Sequence, residues 1–168
     1  MIDSKNANKV FFSLLFTGFP VSKIPLAMKQ AAFETNGFTS NLGVSSNNWS
    51  GIEKRLWEQG VSNQDSDDRF SHFNKVSDWA RAYHHILENF HPAAYVATTL
   101  DDFGKALYNS GYVKQESKDD TASAYIKGMK KYSPDVDYFI KAKELMGVHI
   151  GMVILVAIIV YLYKISSK

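Results

Sequence analysis

Cysteine is absent from the 168 residues, so the chain has no disulfide scaffold, no thiolate zinc site and no cysteine nucleophile. That absence fixes no compartment, because a chain of this length buries enough core to do without covalent staples. A surplus of charge is missing as well. Up to Met146 the acidic and basic residues cancel, and the formal net charge of +2 comes from Lys164 and Lys168 alone. Without a basic excess there is no electrostatic footprint for a phosphate backbone, which argues against a nucleic-acid partner. No glycine-rich phosphate loop, internal repeat or low-complexity tract occurs. The one cluster of metal-ligand type is His84, His85, Glu88 and His91. Adjacent histidines point about 100° apart on a helix, and His91 precedes Pro92, so the group reads as solvated surface. No metal and no cofactor is expected.

Long apolar runs are also scarce, with one exception. Residues 146–163 read MGVHIGMVILVAIIVYLY, without a formal charge unless His149 is protonated. At ~1.5 Å per residue such a helix spans roughly 27 Å, close to the hydrocarbon thickness of a bilayer. Tyr161 and Tyr163 suit an interfacial aromatic belt, with Lys164 and Lys168 just beyond it. A single-pass C-terminal membrane anchor is therefore expected, with Ser133-Pro134 as the start of its helix. Near the N-terminus, Lys5, Lys9 and the seven-residue run VFFSLLF are too short for an export signal and read as an amphipathic helix.

Spacing and caps predict the remaining elements. A helix covers about Ser4 to Thr17, and a second starts at Ser22-Lys23-Ile24-Pro25 and stops at Asn36-Gly37. The second helix carries a stripe of Leu26, Ala27, Gln30, Ala31 and Glu34, small enough for close packing. Thr39 to Asn48 reads as loop, and Trp49 to Phe73 as a short irregular β-hairpin. A helix from Ser77-Asp78 places Trp79, Tyr83, Ile86 and Leu87 on one face. Another opens at Asp101-Asp102 with Phe103, Ala106 and Leu107 inward. The last of the domain begins near Asp119 and carries Ala122, Tyr125, Ile126 and Met129.

Glu34 is the residue of chemical interest. A helix C-terminus disfavours negative charge, and Phe33 and Phe38 add apolar surface, so both effects raise the pKa of its carboxyl. A carboxylic acid kept neutral near pH 6–7 suits general-acid cleavage of a glycosidic bond.

The surrounding motifs carry a resemblance. Ala31-Ala-Phe-Glu34-Thr-Asn-Gly37-Phe38 is followed by Asn47-Asn-Trp-Ser-Gly-Ile52. Then come Phe70-Ser-His-Phe73, Ser77-Asp-Trp-Ala-Arg-Ala-Tyr83, Leu107-Tyr-Asn-Ser-Gly-Tyr112 and Tyr125. From about residue 9 to 132, in this order, the chain resembles the bacterial and phage β-N-acetylglucosaminidases of glycoside hydrolase family 73. Thr35, Asn36 and Phe38 stand where the family has Ser, Gly and Trp, and a polar segment from Val113 to Thr121 replaces the family's Ala-Thr-Asp-Pro.

The resemblance implies an α+β, mostly helical lysozyme-like domain over 1–132 with a small β-hairpin. The expected juxtamembrane and transmembrane helix follows over 133–168. It implies that Glu34 protonates the leaving oxygen of a GlcNAc–MurNAc link in peptidoglycan. Glu58 has the approximate spacing of the family's hairpin carboxylate, with Asp68 and Asp67 as alternatives, and a lytic transglycosylase course would need Glu34 alone. Trp49 and Tyr112 are sugar-stacking platforms or core residues, and Asn48 and Phe38 are further substrate-binding candidates. A lytic enzyme with its tail in the membrane of a virion reconciles a membrane partner with an extracytoplasmic substrate. A noncatalytic glycan-binding or structural membrane protein is the alternative.

Overall fold

The computed structural model describes residues 1–54, 70–113 and 121–166, with side chains given up to 145 and at 147. Seven α-helices occur among these residues. They are α1 (Ser4–Phe16), α2 (Ile24–Glu34), α3 (Asn41–Ser46), α4 (Val76–Phe90), α5 (Pro92–Val96), α6 (Leu100–Asn109) and α7 (Ala122–Ser166). The chain divides into two compact units, Met1–Val136 and Asp137–Lys168.

Within the first unit α2 is the central helix. Ile24, Leu26, Ala27, Met28, Gln30, Ala31 and Ala32 are all buried, so it is enclosed on most of its circumference. Its alanines make that possible, because a helix without bulk on two faces lets neighbouring backbones approach. Helix α1 packs on α2 and α4, and α5 packs on α4 and α6. Helix α4 contributes Trp79, Tyr83, Ile86 and Leu87 to the core as its periodicity predicts. The rings of Trp79 and Tyr83 stack at 5.4 Å. Each such side chain removed from water contributes roughly 1.5–3 kcal/mol.

The caps explain the boundaries. Asp3 accepts the amide of Asn6 at the start of α1, and Thr99 does the same for Asp102 at the start of α6. The polar stretch 39–48 is not simply a loop. Ser40 caps Gly43 and Asn47 closes the segment in the left-handed conformation, which yields the six-residue α3. Ser133-Pro134 is not a helix start either: Pro134 lies inside α7, which opens where the Thr121 hydroxyl receives the amide of Ala124.

Two expectations are corrected. No β-hairpin forms among the described residues; the only pairing is an isolated antiparallel bridge between Glu53 and Phe70. Beside the bridge the Ser71 amide donates to the Ile52 carbonyl (2.8 Å). The Asn48 side chain supports the same pair, its NH₂ donating to the carbonyls of Ile52 and Ser71 and its Oδ1 accepting from the amide of Ile52. Among the described residues the fold is therefore helical, without the β-hairpin of the expected α+β class.

The C-terminal transmembrane helix is the second correction. Among the described residues no helix is long and apolar enough to cross a membrane. The charges of Lys127, Lys130, Lys131, Asp135, Asp137, Lys141, Lys143 and Glu144 interrupt the part of α7 whose side chains are given. Residues 146 and 148–163, on which that expectation rested, have side chains outside the described set. A single-pass anchor, a membrane location and a bilayer or virion-membrane partner are accordingly not supported.

Candidate active site

The end of α2 sets the site. After Glu34 the chain reverses through Asn36, Gly37 and Phe38, all with positive φ (49°, 74° and 67°). For Asn and Gly this conformation is ordinary, whereas for Phe it stores strain that the surroundings must offset. They do so from three sides. The amide of Asp3 donates to the Gly37 carbonyl (2.8 Å), the Asn6 side chain donates to the Phe38 carbonyl (3.1 Å), and the Tyr132 hydroxyl donates to Asn36 Oδ1 (2.8 Å). The turn is thereby held, and with it the carboxyl of Glu34 two residues before it.

Glu34 opens onto a cavity of about 400 Å³ whose lining includes Gly51, Glu53, Phe70, Tyr112 and Tyr125. Its Oε1 accepts a 2.7 Å hydrogen bond from the Tyr125 hydroxyl on α7. Its Oε2 faces Gly51, where an added β-carbon would lie 3.4 Å away. The residue keeps some surface open to the cavity, but protein surrounds the carboxyl closely. Burial lifts its pKa to about 7, against the smaller opposing effect of the Tyr125 hydrogen bond. At neutral pH the group is thus divided between acid and carboxylate.

A buried polar network stands behind it. Tyr125 OH also accepts from Gln30 Nε2 (3.0 Å), and Tyr83 OH donates to Gln30 Oε1 (2.6 Å). Tyr112 OH donates to the Ser50 carbonyl (2.9 Å) and lies 3.1 Å from Ser50 Oγ. That same Oγ receives the indole N–H of Trp79 (3.0 Å). Burial pushes all three tyrosine hydroxyls well above the usual phenol range, and the nearby Glu34 carboxyl adds to it. They are permanent hydrogen-bonding groups and not bases.

Of the residues singled out in the sequence, Glu34 and Tyr112 line the cavity. Asn48 is fully buried with its amide spent on Ile52 and Ser71. Trp49 and Phe38 are buried against each other at 6.1 Å. Glu58, Asp67 and Asp68 lie outside the described residues. His84 and His85 join no metal-binding group among the described residues.

Sequence reasoning did not single out Gln30, Ser50, Gly51 or Glu53 as site residues. Gln30 was the most accessible of these, since it precedes Glu34 by four positions and so shares its helix face. Glu53, 7% exposed, brings a second carboxylate to the cavity wall.

Comparison with known proteins gives the family and a similar fold. Residues 21–149 match the glucosaminidase family, described as mannosyl-glycoprotein endo-beta-N-acetylglucosaminidase. No curated protein matches the chain. Among solved structures, a chain of a type VI secretion system effector-immunity complex from Pseudomonas protegens is similar in fold. Its TM-score is 0.56 at 15% identity, covering 75% of this chain and 87% of that one. With the family model spanning most of the sequence, the chain belongs to the glucosaminidase family, glycoside hydrolase family 73, and is a glycoside hydrolase.

Proposed function

We propose that the chain cleaves the β-1,4 bond between GlcNAc and MurNAc in peptidoglycan, with Glu34 as the general acid. Family membership supports a peptidoglycan hydrolase. The observation that carries the residue assignment is a cavity-lining carboxyl with a pKa of about 7. An ordinary glutamate would be ionised at neutral pH and have no proton to give, whereas this one is half protonated there. As the glycosidic bond breaks, the Glu34 proton passes to the leaving oxygen, and the resulting carboxylate is stabilised by the Tyr125 hydroxyl already aimed at it. Tyr112 lines the same cavity, its hydroxyl held on Ser50.

Water must then add to the sugar's anomeric carbon. Glu53 is the described carboxylate that lines the same cavity, and Glu58, Asp67 and Asp68 remain candidates from the sequence. The gap between the two carboxyls decides inversion or retention of configuration.

The test uses the full chain on purified sacculi. Wild type releases muropeptides, with activity falling about tenfold per pH unit well above 7 as Glu34 ionises. Glu34→Gln lowers the rate by roughly 10²–10⁴-fold with an unchanged circular dichroism spectrum. Mass spectrometry of the products reads the bond directly. Reducing GlcNAc ends support the proposal, while reducing MurNAc or anhydro-muramyl ends replace it with a muramidase or transglycosylase. A folded wild type that binds glycan and releases nothing makes the protein a noncatalytic binder.

A further inference from the structure

A neutral carboxyl has one oxygen that carries the proton and one that does not, and only a proton facing the substrate is of use. The hydrogen-bond directions around Glu34 decide which oxygen that is. The Ser50 carbonyl can only accept, so Tyr112 must donate to it. The Trp79 indole can only donate, so Ser50 Oγ accepts from it. The Tyr112 oxygen, its own hydrogen committed, can receive the Ser50 hydroxyl, which lies 3.1 Å away. The Gln30 amide stands with its NH₂ towards the Tyr125 hydroxyl and its Oε1 towards Tyr83, which donates to it at 2.6 Å. Tyr125 then receives Gln30 Nε2 at 3.0 Å and has its own hydrogen free for one partner, Glu34 Oε1 at 2.7 Å. An oxygen that accepts from Tyr125 at that distance does not also carry a proton pointing at Tyr125.

We propose that Gln30 is a positioning residue: it fixes the direction of the Tyr83–Gln30–Tyr125–Glu34 chain so that the acid's proton sits on Oε2, the oxygen beside Gly51 and the cavity. With the amide removed, Tyr125 is free to turn and accept from Glu34, which draws the proton away from the substrate. Gly51, with no side chain and a positive φ, leaves the space in front of Oε2 clear. The inference rests on the proposed role of Glu34 for its consequence in catalysis, but not for the placement of the proton. Among the described residues the ionisable groups that line its cavity or act on that carboxyl are Tyr83 from α4, Tyr108 from α6, Tyr112, Tyr125 from α7, and Glu53.

Infrared difference spectroscopy of the full chain near pH 5, with Glu34→Gln as the reference, reads the carbonyl stretch of the protonated Glu34. If Oε1 is the carbonyl oxygen, Tyr125→Phe removes its hydrogen bond and moves the band to higher frequency, and Gln30→Met moves it the same way. Where glycan cleavage is measured, Gln30→Met lowers kcat by about tenfold, leaves KM within about twofold, and shifts the alkaline limb of the kcat profile to higher pH. A band unmoved by Tyr125→Phe puts the proton on Oε1 and overturns the inference. That variant keeps the ring and its packing, so it decides the matter even if Gln30→Met does not fold. A folded Gln30→Met with reduced kcat but an unmoved band and pH limb gives Gln30 a packing role only, which also overturns it. Inactive wild type with the expected band shifts would sink the proposed function and leave the proton placement standing.

Discussion

Glu34 is a carboxyl that folding makes harder to ionise, and this has a thermodynamic cost with a definite pH window. An unfolded chain releases the proton near the ordinary value of 4.5, whereas the folded one holds it to about 7. Below the lower value both states are protonated and folding incurs no penalty. Between the two values the folded state binds more protons, so stability falls as pH rises, and above about 7 the full penalty is present. Glu34→Gln removes the ionisable group and keeps an acceptor for Tyr125. The variant is therefore expected to be more stable than wild type at pH 8, by on the order of 1–3 kcal/mol once partial exposure is allowed for. The gap should close by pH 4. Thermal melts of the two proteins across that range test it, and a pH-independent difference would mean that the carboxyl is not desolvated. The direction of this shift was readable from the sequence, because a helix end and two phenylalanines are local features. The destinations of Asn48, Trp49 and Phe38 were not. Each is polar or aromatic beside a turn, and nothing local distinguishes a sugar contact from burial by other parts of the chain, such as that of Asn48 by Ser71, 23 positions away.

Helices α2 and α7 bring Glu34 and Tyr125 together, and they do so through a glycine. Gly128 lies one turn after Tyr125 on the same face of α7, and a β-carbon there would collide with the Phe33 ring. The Phe33 ring meets the Tyr125 ring edge-on at 5.3 Å, so displacing one disturbs the other. Helix propensity alone would make Gly128→Ala stabilising by about 1 kcal/mol. The contact reverses the sign: a net loss of about 1–3 kcal/mol is expected, with a fall in glycan cleavage as α7 is pushed off α2 and Tyr125 withdraws from Glu34. Denaturant melts and activity assays on the variant measure both, and a stabilised, fully active Gly128→Ala would disprove the close contact. Periodicity revealed α1, α4 and α6 because each buries one face, but caps were a weaker guide: α4 opens at Val76 without a side-chain cap, and α6 opens at Leu100 behind Thr99. Pattern failed between Trp49 and Phe73, where the described residues pair only at Glu53 and Phe70 and the Asn48 side chain supports them. It also failed at Pro134, where a residue that usually opens helices is carried inside a long one.

At the level of the whole molecule the polar network and the strained turn belong to the unit Met1–Val136. Tyr132 reaches Asn36, the N-terminal amine of Met1 lies 2.8 Å from Asp135, and Val136 is fully buried. These contacts place the last requirement of the site at the turn of α7 that ends with Val136. The site residues described above all lie within this unit, although the family match continues to residue 149. A chain cut after Leu145 keeps more than two helical turns past Val136, enough that end fraying stops short of it. It is expected to melt cooperatively within about 3 °C of the full chain, a difference that corresponds to less than about 1 kcal/mol for a domain of this size. It should also cleave peptidoglycan with the same pH dependence. Calorimetry and muropeptide release on the two chains side by side check this. A shortened chain that melts far lower, or loses the protonated Glu34 carbonyl band, would show that the segment after Leu145 holds the first unit in its active arrangement and is not a separate appendage.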